Sequence, residues 1–422
     1  MRVTHIIALY REGLGYEENH LGHFQTLKGA DVSLITSMLP SGMWQQTSDT
    51  ALLDAEDNLA PYEDRDVHIH RLNARFRARA NSQVVLRGLK DALHRIRPDI
   101  LHIHGPVGAL CVQALLIARS LDIPAVVDNH LCYFNLRIYD LKKRVYYRSL
   151  FRRGILPLLD GVVGRYIPLM PDSEAVLHNE LGIAYDRMTH STLGADTETF
   201  KYSEDERDSV RRKLNVPSDV PVIAFLGRIG LEKNVDLLVS AWNHLADKYG
   251  AHLLLIGPAT NAMEQSLLAL VEDHHRDRLT VTGHISNSEL PAYLSAADIG
   301  VWPGDPGIAM IEAMSCSLAI VHTNPYYIAR MSIYENAELF PRGDAVALAR
   351  TIDSILEDPN KLARMRRQSR RLAEDIFDWR IVAARTNAIY EEVIAGKMST
   401  MPAIWESGGT DGRTLTQVAP RG

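Results

Sequence analysis

The chain has 422 residues, of which 46% are hydrophobic and 23% charged, and its formal net charge is −6. This length exceeds what one ordinary hydrophobic core supports, so two domains are expected. The mild acidity argues against a nucleic-acid-binding protein, which would carry a strong basic excess.

The three cysteines, Cys111, Cys132 and Cys316, form no CxxC pair, and this usage suits reduced thiols in the cytoplasm. The opening residues, MRVTHIIALYREG, have too short an apolar core for a signal peptide and predict a first strand. No apolar run approaches the roughly 18 residues of a membrane-spanning helix. The expected location is therefore the cytoplasm, with peripheral attachment to the inner face of a membrane left open.

Short segments rich in valine and isoleucine alternate with helical segments along the first half of the chain. The strand-like segments are THIIALY, ADVSLIT, DILHIHG and PAVVDNH, and SQVVLRGLKDALHRI is one of the helices between them. Such alternation predicts parallel strands covered by helices. We expect a first doubly wound α/β domain over residues 1–200.

A second alternating series covers residues 201–376 and runs from PVIAFLGRI through HLLLIGP and DIGVWP to AMIEAMSC. A further helix is expected over 377–396, and the tail 397–422 should be poorly ordered because it lacks a periodic apolar pattern. The predicted fold is two Rossmann-like, doubly wound domains facing a central cleft. Ligands of such sheets bind beyond the carboxyl ends of the strands, so the site is sought there.

Two cations follow one predicted strand in the segment FLGRIGLEKN. Arg228 lies just beyond the strand, and Lys233 follows five residues later, before a helix. A guanidinium can bind two oxygens at once and a lysine adds a point charge, so the pair suits a diphosphate. Two solvated surface charges are the alternative.

The segment WPGDPGIAMIEAMSC places a turn directly before a helix. The amides of Gly307 and Ile308 lie at the predicted helix N-terminus, a favourable position for an anion. Glu312 follows little more than one turn later among apolar neighbours, where its carboxylate suits a pair of sugar hydroxyls. A glutamate on the helix surface is the alternative.

These segments resemble those of family 4 glycosyltransferases, which are retaining enzymes of the GT-B fold. FLGRIGLEKNVDLLVSAW is similar to the family's GR…EKN…L…A signature, and IEAMSCSLAIV is similar to its EAM segment. STLGADTETF, LLLIGPA, LTVTGHISNSELPAYLSAADIGVWP and FDWRIVAARTNAIYEEV resemble further family segments in the same order. The resemblance covers nearly the whole chain apart from the tail, and it implies that the helix over about 377–396 crosses back to pack on the first domain.

The resemblance implies a donor site and roles for its residues. Arg228 and Lys233 would bind and neutralise the leaving diphosphate, and Glu312 would hold the ribose hydroxyls. His130 would touch the donor sugar near the reacting carbon, and His104 is placed with the acceptor; a structural histidine is the alternative for each. The implied donor-binding residues are Gly13, Gly15, Arg228, Lys233, Ile285, Gly307, Ile308 and Glu312.

One family feature is missing. The family has two glutamates separated by seven residues, and counting back from Glu312 reaches Gly304 instead. Three interpretations stay open. Asp305 replaces the glutamate as a catalytic carboxylate with a shifted reach, the donor sugar presents different hydroxyls, or the site no longer catalyses.

The implied reaction transfers a sugar with retention from a UDP- or GDP-linked donor to a hydroxyl of a glycan acceptor, either free or lipid-linked. No cofactor and no metal ion are expected, since Arg228 and Lys233 can neutralise the diphosphate. Basic residues cluster in 71–97 and 137–153, and Tyr146, Tyr147 and Phe151 are interleaved in the second stretch. Such basic, aromatic-bearing stretches indicate an anionic membrane surface or an acidic acceptor, with a solvated helix face as the alternative. A non-catalytic nucleotide-sugar-binding protein and a nucleotide-sugar epimerase of the same fold are the competing functions.

Overall fold

The computed structural model describes residues 1–38, 60–77, 84–133, 145–304, 307–323 and 333–397. These residues form two compact units. The first comprises Met1–Leu193 with the C-terminal segment that begins at Trp379, and the second comprises Gly194–Asp378. The predicted disordered tail lies, from residue 398 onward, outside the described residues.

The first unit is built on one seven-stranded sheet. Its strands are parallel, apart from one antiparallel pair at the edge, and run in the order β3-β4-β2-β1-β7-β8-β9, with β5 and β6 forming a separate pair. The strands are β1 (Arg2–Ile6), β2 (Asp31–Ser37), β3 (Tyr62–Asp64), β4 (Val67–Leu72), β5 (Ala74–Arg77), β6 (Val84–Leu86), β7 (Ile100–His104), β8 (Ala125–Asn129) and β9 (Val163–Pro168).

Helices of several kinds connect these strands. The α-helices are α1 (Glu17–Thr26), α2 (Leu89–Ile96), α3 (Ala109–Leu121), α4 (Leu156–Leu159) and α5 (Pro171–Val176). The segments Tyr146–Ile155 and Leu177–Leu181 are π-helical, and Asp160–Val162 and Tyr185–Arg187 are 3₁₀ turns.

The second unit contains a six-stranded, fully parallel sheet in the order β12-β11-β10-β13-β14-β15. Its strands are β10 (Val222–Leu226), β11 (His252–Ile256), β12 (Leu279–Val281), β13 (Ile299–Trp302), β14 (Ala319–His322) and β15 (Ala337–Leu339). Its α-helices are α6 (Glu204–Lys213), α7 (Val235–Tyr249), α8 (Asn261–Leu268), α9 (Leu290–Ser295), α10 (Ile308–Ser315), α11 (Ala345–Leu356) and α12 (Pro359–Leu372). Leu231–Lys233 and Asp273–Arg278 are 3₁₀ turns, and Ala373–Phe377 is π-helical.

The strand sequences explain this arrangement. The runs VIAFL and HLLLI, which form β10 and β11, are buried along their whole length. Continuous burial is typical of parallel strands that have helices on both faces of the sheet. The structure thus confirms the predicted α/β class with two doubly wound units.

The carboxylate of Asp298 fixes the start of β13 in the second sheet. It accepts hydrogen bonds from Arg207 at 2.8 Å, from Arg211 at 2.9 Å and from the amide of Val222 at 2.9 Å. Hydrogen bonds to an ionised group are stronger than neutral ones, so this centre ties α6 to two adjacent strands.

The units divide between Leu193 and Gly194, and again between Asp378 and Trp379. The Ala195 amide donates to the carbonyl of Phe377 at 2.8 Å, and the Thr197 hydroxyl donates to the carboxylate of Asp378. These bonds hold the residues just after Leu193 within the second unit, which therefore begins a few residues before position 201.

The last helix, α13 (Trp379–Ile394), belongs to the first unit. Near the C-terminal end of α13, the hydroxyl of Tyr390 forms a hydrogen bond with Nδ1 of His102 in β7. No helix among the described segments is both long and apolar enough to cross a membrane. The apolar cluster that joins α13 to α1 consists of Leu21, Phe24, Trp379, Val382 and Ala383.

Candidate functional site

The loops that follow β10, β11 and β12 meet at one edge of the second sheet. Ile229 forms a single parallel bridge with Ala259, and Gly257 forms a single antiparallel bridge with Gly283. Ile285 lies two residues beyond Gly283 and is half-buried. The structure therefore brings the loops of Arg228 and Ile285 to the same edge.

Glycine is required where two of these loops touch. A Cβ atom at Gly257 would lie 2.1 Å from the carbonyl oxygen of Gly227, and the φ angle of Gly257 is 139°. A residue with a side chain meets both a backbone clash and an unfavourable φ angle there. The close approach of the loops thus depends on the glycine that ends LLLIG.

The two predicted diphosphate-binding cations lie on the loop between β10 and α7. The Arg228 side chain is exposed, and its guanidinium is 2.5 Å from Oε1 of Glu232. Lys233 is half-buried and ends the 3₁₀ turn before α7. An anion that binds Arg228 must therefore share the guanidinium with Glu232 or replace it.

The N-terminus of α10 is built as the sequence predicts. Gly307 is the N-cap residue, and no side chain in the described part of the chain caps the helix. A Cβ atom at Gly307 would meet nothing within 4 Å. The first amides of the helix, beginning with Ile308, offer donors to an anion, and the helix dipole favours negative charge at this end.

Glu312 lies little more than one turn into α10 and is 6% exposed. Burial raises the pKa of its carboxyl group to about 8. Within the described residues, no ion pair or hydrogen bond engages this carboxyl group. A buried acid without a protein partner is disfavoured in its charged form, and hydroxyl groups of a ligand would favour that form by hydrogen bonding to it.

Gly304 occupies the position where the resemblance places a glutamate. A Cβ atom here would lie 2.8 Å from the Cα, C and O atoms of Lys233. Because the backbone of Lys233 fills the space that a side chain would need, the loop after β10 lies directly against the end of β13. Asp305, the predicted replacement for the glutamate, lies outside the described residues.

A second group of polar residues lies at the carboxyl edge of the first sheet, around Asp128. This fully buried carboxylate is 3.1 Å from Nε2 of His102 and 2.6 Å from Nδ1 of His104. It also accepts a hydrogen bond from the amide of Gly105 at 2.9 Å. Although burial opposes ionisation, the neighbouring imidazoles hold the pKa of Asp128 well below its usual range.

His130 follows β8 and is tied to two carboxylates. Its Nε2 atom is 2.7 Å from Glu17 and 3.6 Å from Asp128, and 38% of its side chain is exposed. Burial by itself would lower the pKa of His130, but the two carboxylates raise it well above its ordinary value. His130 is therefore a cationic residue at the sheet edge.

His104 occupies a different environment, since its side chain is 3% exposed. One ring nitrogen contacts Asp128, and the other is 3.0 Å from Nδ1 of His5. With both nitrogens engaged, His104 stabilises the edge of the sheet. Its predicted contact with an acceptor stays a prediction and requires the ring to give up one of these bonds.

The loop between β1 and α1 carries Gly13 and Gly15. Gly13 is exposed and adopts a φ angle of 73°, and Gly15 is half-buried. Glu12 anchors the loop, because its carboxylate is 2.7 Å from the guanidinium of Arg71, which is 8% exposed. Arg71 is thus a buried structural residue, which corrects its inclusion in a basic surface over 71–97.

Sequence reasoning selected His104 and His130 but missed Asp128 and Glu17. Alternation along a strand sends His102 and His104 of LHIHG to one face, and the spacing of Asp128 and His130 in DNH follows the same rule. These spacings in the sequence could have identified Asp128 as a member of the group. Nothing in the local pattern marks Glu17, which reaches the group from a helix.

Comparisons with known proteins agree with this geometry. Two doubly wound, parallel-sheet units define a GT-B protein. Residues 206–372 match the family model of glycosyl transferases group 1, and residues 20–165 match that of the glycosyl transferase 4-like domain. The chain belongs to the group 1 glycosyltransferases, as its resemblance to family 4 predicted.

Individual relatives and solved structures are similar to this chain at low sequence identity. Sulfoquinovosyl transferase SQD2 of Arabidopsis thaliana is 25% identical over 328 residues, covering 74% of this chain and 58% of that protein. Sucrose-phosphate synthase from Thermosynechococcus elongatus has the same fold, with a TM-score of 0.70, 18% identity and coverage of 94% and 100%. Anabaena HepE in complex with UDP and glucose has a TM-score of 0.67, 14% identity and coverage of 93% and 100%. The matched segment spans 52% to 61% of the length of the first four curated relatives.

The variant Glu312→Gln tests the buried acid. The pKa of Glu312 is raised to about 8, so the folded protein favours the protonated carboxyl group. The stability that this form contributes is complete below the ordinary pKa of a glutamate, and it is lost as the pH rises through about 8. Between about pH 5 and pH 9, wild type should lose on the order of a few kcal/mol of unfolding free energy relative to the variant. Chemical denaturation at several pH values measures this, and parallel pH profiles would contradict it.

The variant Gly304→Ala tests the contact with Lys233. Its Cβ atom would lie 2.8 Å from that backbone, so we expect a loss of about 1–3 kcal/mol of unfolding free energy. Gly161→Ala is the matched control, because its Cβ atom meets nothing within 4 Å and the substitution should be neutral or stabilising by up to about 1 kcal/mol. Equal effects of the two substitutions would show that Gly304 is not constrained.

Proposed function

We propose that this chain is a retaining glycosyltransferase that moves a sugar from a nucleoside diphosphate to a hydroxyl acceptor. The observation that carries the proposal is the environment of Glu312. Among the described residues, the buried carboxyl group of Glu312 has no protein partner, and it lies in the same helix whose first amides donate to no capping side chain. One helix thus provides an acceptor for ribose hydroxyls and donors for an anion.

The cations after β10 complete this site. Arg228 and Lys233 are carried on the loop that lies against Gly304, close to the end of β13. They suit the diphosphate of the donor, and the complex of Anabaena HepE with UDP and glucose supports a nucleotide sugar as the donor class. A UDP- or GDP-linked sugar is the proposed donor.

The chemistry follows from these groups. The bond between the anomeric carbon and the diphosphate oxygen breaks, and a bond from that carbon to the acceptor oxygen forms on the same face. The acceptor's hydroxyl proton passes to the leaving diphosphate, so no separate general base is needed. Arg228 and Lys233 stabilise the charge that develops on the diphosphate, and positioning of the substrates supplies the rest. We therefore propose that the reaction needs neither a metal ion nor a cofactor.

Release of nucleoside diphosphate from a panel of UDP-, GDP- and ADP-sugars tests this function, with a membrane lipid extract or soluble glycans as acceptors. One donor should be consumed in an acceptor-dependent way, and its product should keep the anomeric configuration. Arg228→Ala should lower kcat/KM by about 10²–10³, since a donor to the developing charge is lost. Arg276→Ala, which removes an exposed arginine paired with Asp273, should leave it unchanged.

Two results would contradict the proposal. An inverted product would exclude the retaining mechanism. Nucleotide-sugar binding without turnover, across all donors and acceptors, would instead support the non-catalytic binding protein that the missing glutamate leaves open.

The acceptor side of the proposal concerns the surface formed by residues 145–159. It includes the described part of the predicted basic stretch 137–153, whose residues 137–144 lie outside the described residues. Its aromatic residues do not face outward: Phe151 is 1% exposed, and Tyr146 and Tyr147 pack against the core of the first unit. The exposed apolar side chains are instead Val145 at 54%, Leu150 at 56% and Leu158 at 67%.

Basic residues accompany these exposed apolar groups. Arg148, Arg152 and Arg153 are exposed on the same π-helical segment, although Arg148 also pairs with Glu180 at 2.6 Å. Apolar side chains beside arginines suit the interface of an anionic membrane. We propose that the first unit docks on such a surface and that the acceptor is lipid-linked.

Sedimentation with vesicles tests the docking. Wild type should bind vesicles that contain anionic phosphatidylglycerol and not those of phosphatidylcholine alone. The double variant Leu150→Asp and Leu158→Asp should lose this binding, whereas Leu270→Asp, at a leucine 42% exposed in the second unit, should keep it. Binding that is equal for both vesicle types, or absent, would remove the membrane proposal.

A further inference from the structure

The hydrogen bonds around Asp128 determine where the protons of the first unit's histidine cluster lie. Nε2 of His5 is 2.7 Å from Oε1 of Gln25, and this oxygen only accepts, so His5 is protonated there. If His5 is neutral, its Nδ1 atom must accept, and the partner 3.0 Å away is Nε2 of His104. Nε2 of His104 then donates to His5, and its Nδ1 atom lies at an ion-pair distance of 2.6 Å from Asp128, so His104 is an imidazolium.

The direction of the pKa shifts agrees with this assignment. Burial, followed by the neighbouring histidines, lowers the pKa of His5 well below its ordinary value. Burial also opposes the charged form of His104, but Asp128 outweighs it and raises the pKa of His104. His102 is neutral, since burial and His104 lower its pKa, and it lies between Asp128 and the hydroxyl of Tyr390.

Glu17 then needs a cation of its own. It is 2% exposed, and a buried carboxylate without a charged partner is strongly unfavourable. His104 already balances Asp128, so the cation available to Glu17 is His130, whose Nε2 atom is 2.7 Å away. The carboxylates of Glu17 and Asp128 and the two imidazoliums sum to zero charge, while burial raises the pKa of the neighbouring Glu18 and favours its neutral form.

The distances also show why this group is not arranged around a metal ion. The ligand atoms of Glu17, His104, Asp128 and His130 lie within 4.8 Å of one another. However, the contacts of 2.6 Å and 2.7 Å are shorter than the separation of about 3 Å or more between two ligands bound at about 2.0–2.1 Å to one ion. They are the lengths of close ion pairs between a carboxylate and an imidazolium.

We infer that Glu17 and Asp128 are positioning residues that hold His130 as an oriented imidazolium at the carboxyl edge of the first sheet. The charged and titratable groups that face His130 in the described residues are Glu17 and Glu18 of α1, His104 of β7 and Asp128 of β8. The inference rests on the proposed function for one point, namely that His130 meets the donor sugar. A fixed cation there stabilises negative charge that develops on the donor.

Nuclear magnetic resonance titration of histidine-labelled protein tests the protonation state directly. In wild type, the His130 ring should titrate well above the ordinary pH of a histidine. Glu17→Gln should lower its titration midpoint, because one of the two carboxylates that raise the pKa of His130 is lost. Glu174→Gln is the matched control, since Glu174 is 3.0 Å from Nε2 of His190 in the same unit, and it should leave the His130 midpoint unchanged.

Kinetics test the role of this charge. At pH 8, Glu17→Gln should lower kcat by about 10², and the deficit should shrink to within about tenfold at pH 6, where His130 regains its proton. A deficit caused only by structural damage would be the same at both pH values. Asp128→Asn should show the same trend if circular dichroism finds it folded, and Glu17→Gln carries the test if it is not.

Several results separate this inference from the proposed function. A wild-type His130 that titrates near its ordinary value would overturn the inference even in an active enzyme. A pH-independent deficit in Glu17→Gln would also overturn it. If no donor and acceptor support transfer, the proposed function fails, and the titration of His130 still decides the protonation claim.

Discussion

A parallel sheet presents the carboxyl ends of its strands at one edge, and this constraint places the loops of the donor site and the histidine cluster. In the second unit, the loops after β10, β11 and β12 are joined beyond the sheet by single bridges. In the first unit, β7 and β8 end in the histidines and the aspartate of the cluster. Glycines set how closely the loops approach, because Gly257 and Gly304 each lie against another segment's backbone.

The contact at Gly304 changes how the missing glutamate is understood. A site that had only lost a side chain would leave space at that position, but here the backbone of Lys233 fills it. Glu312 meanwhile stays buried with no partner for its carboxyl group in the part of the chain that the structure describes, at a cost to folding stability above its ordinary pKa. Features that reduce stability in this way are characteristic of functional sites. Together these observations favour a rearranged sugar-binding corner over a decayed one.

Much of this account could be predicted from the sequence, for local reasons. Alternation of strand and helix patterns gave the fold class, and the motifs gave the family; both are confirmed. Pairing between distant segments was not accessible, since Glu17 and His130 are separated by more than 100 residues and no pattern links them. Burial reversed two expectations, because Arg71 pairs with Glu12 inside the first unit and Phe151 packs inward.

The central claim is that the carboxyl group of Glu312 receives the donor's ribose hydroxyls. Calorimetric titration of a UDP- or GDP-sugar, without acceptor, in buffers of different ionisation enthalpy counts the protons released on binding. An intact nucleotide sugar is used because its diphosphate does not titrate near pH 7. Since the pKa of Glu312 is about 8 before binding, wild type should release close to one proton at pH 7 and Glu312→Gln none. Binding without proton release in wild type, or equal release by both proteins, would contradict the account.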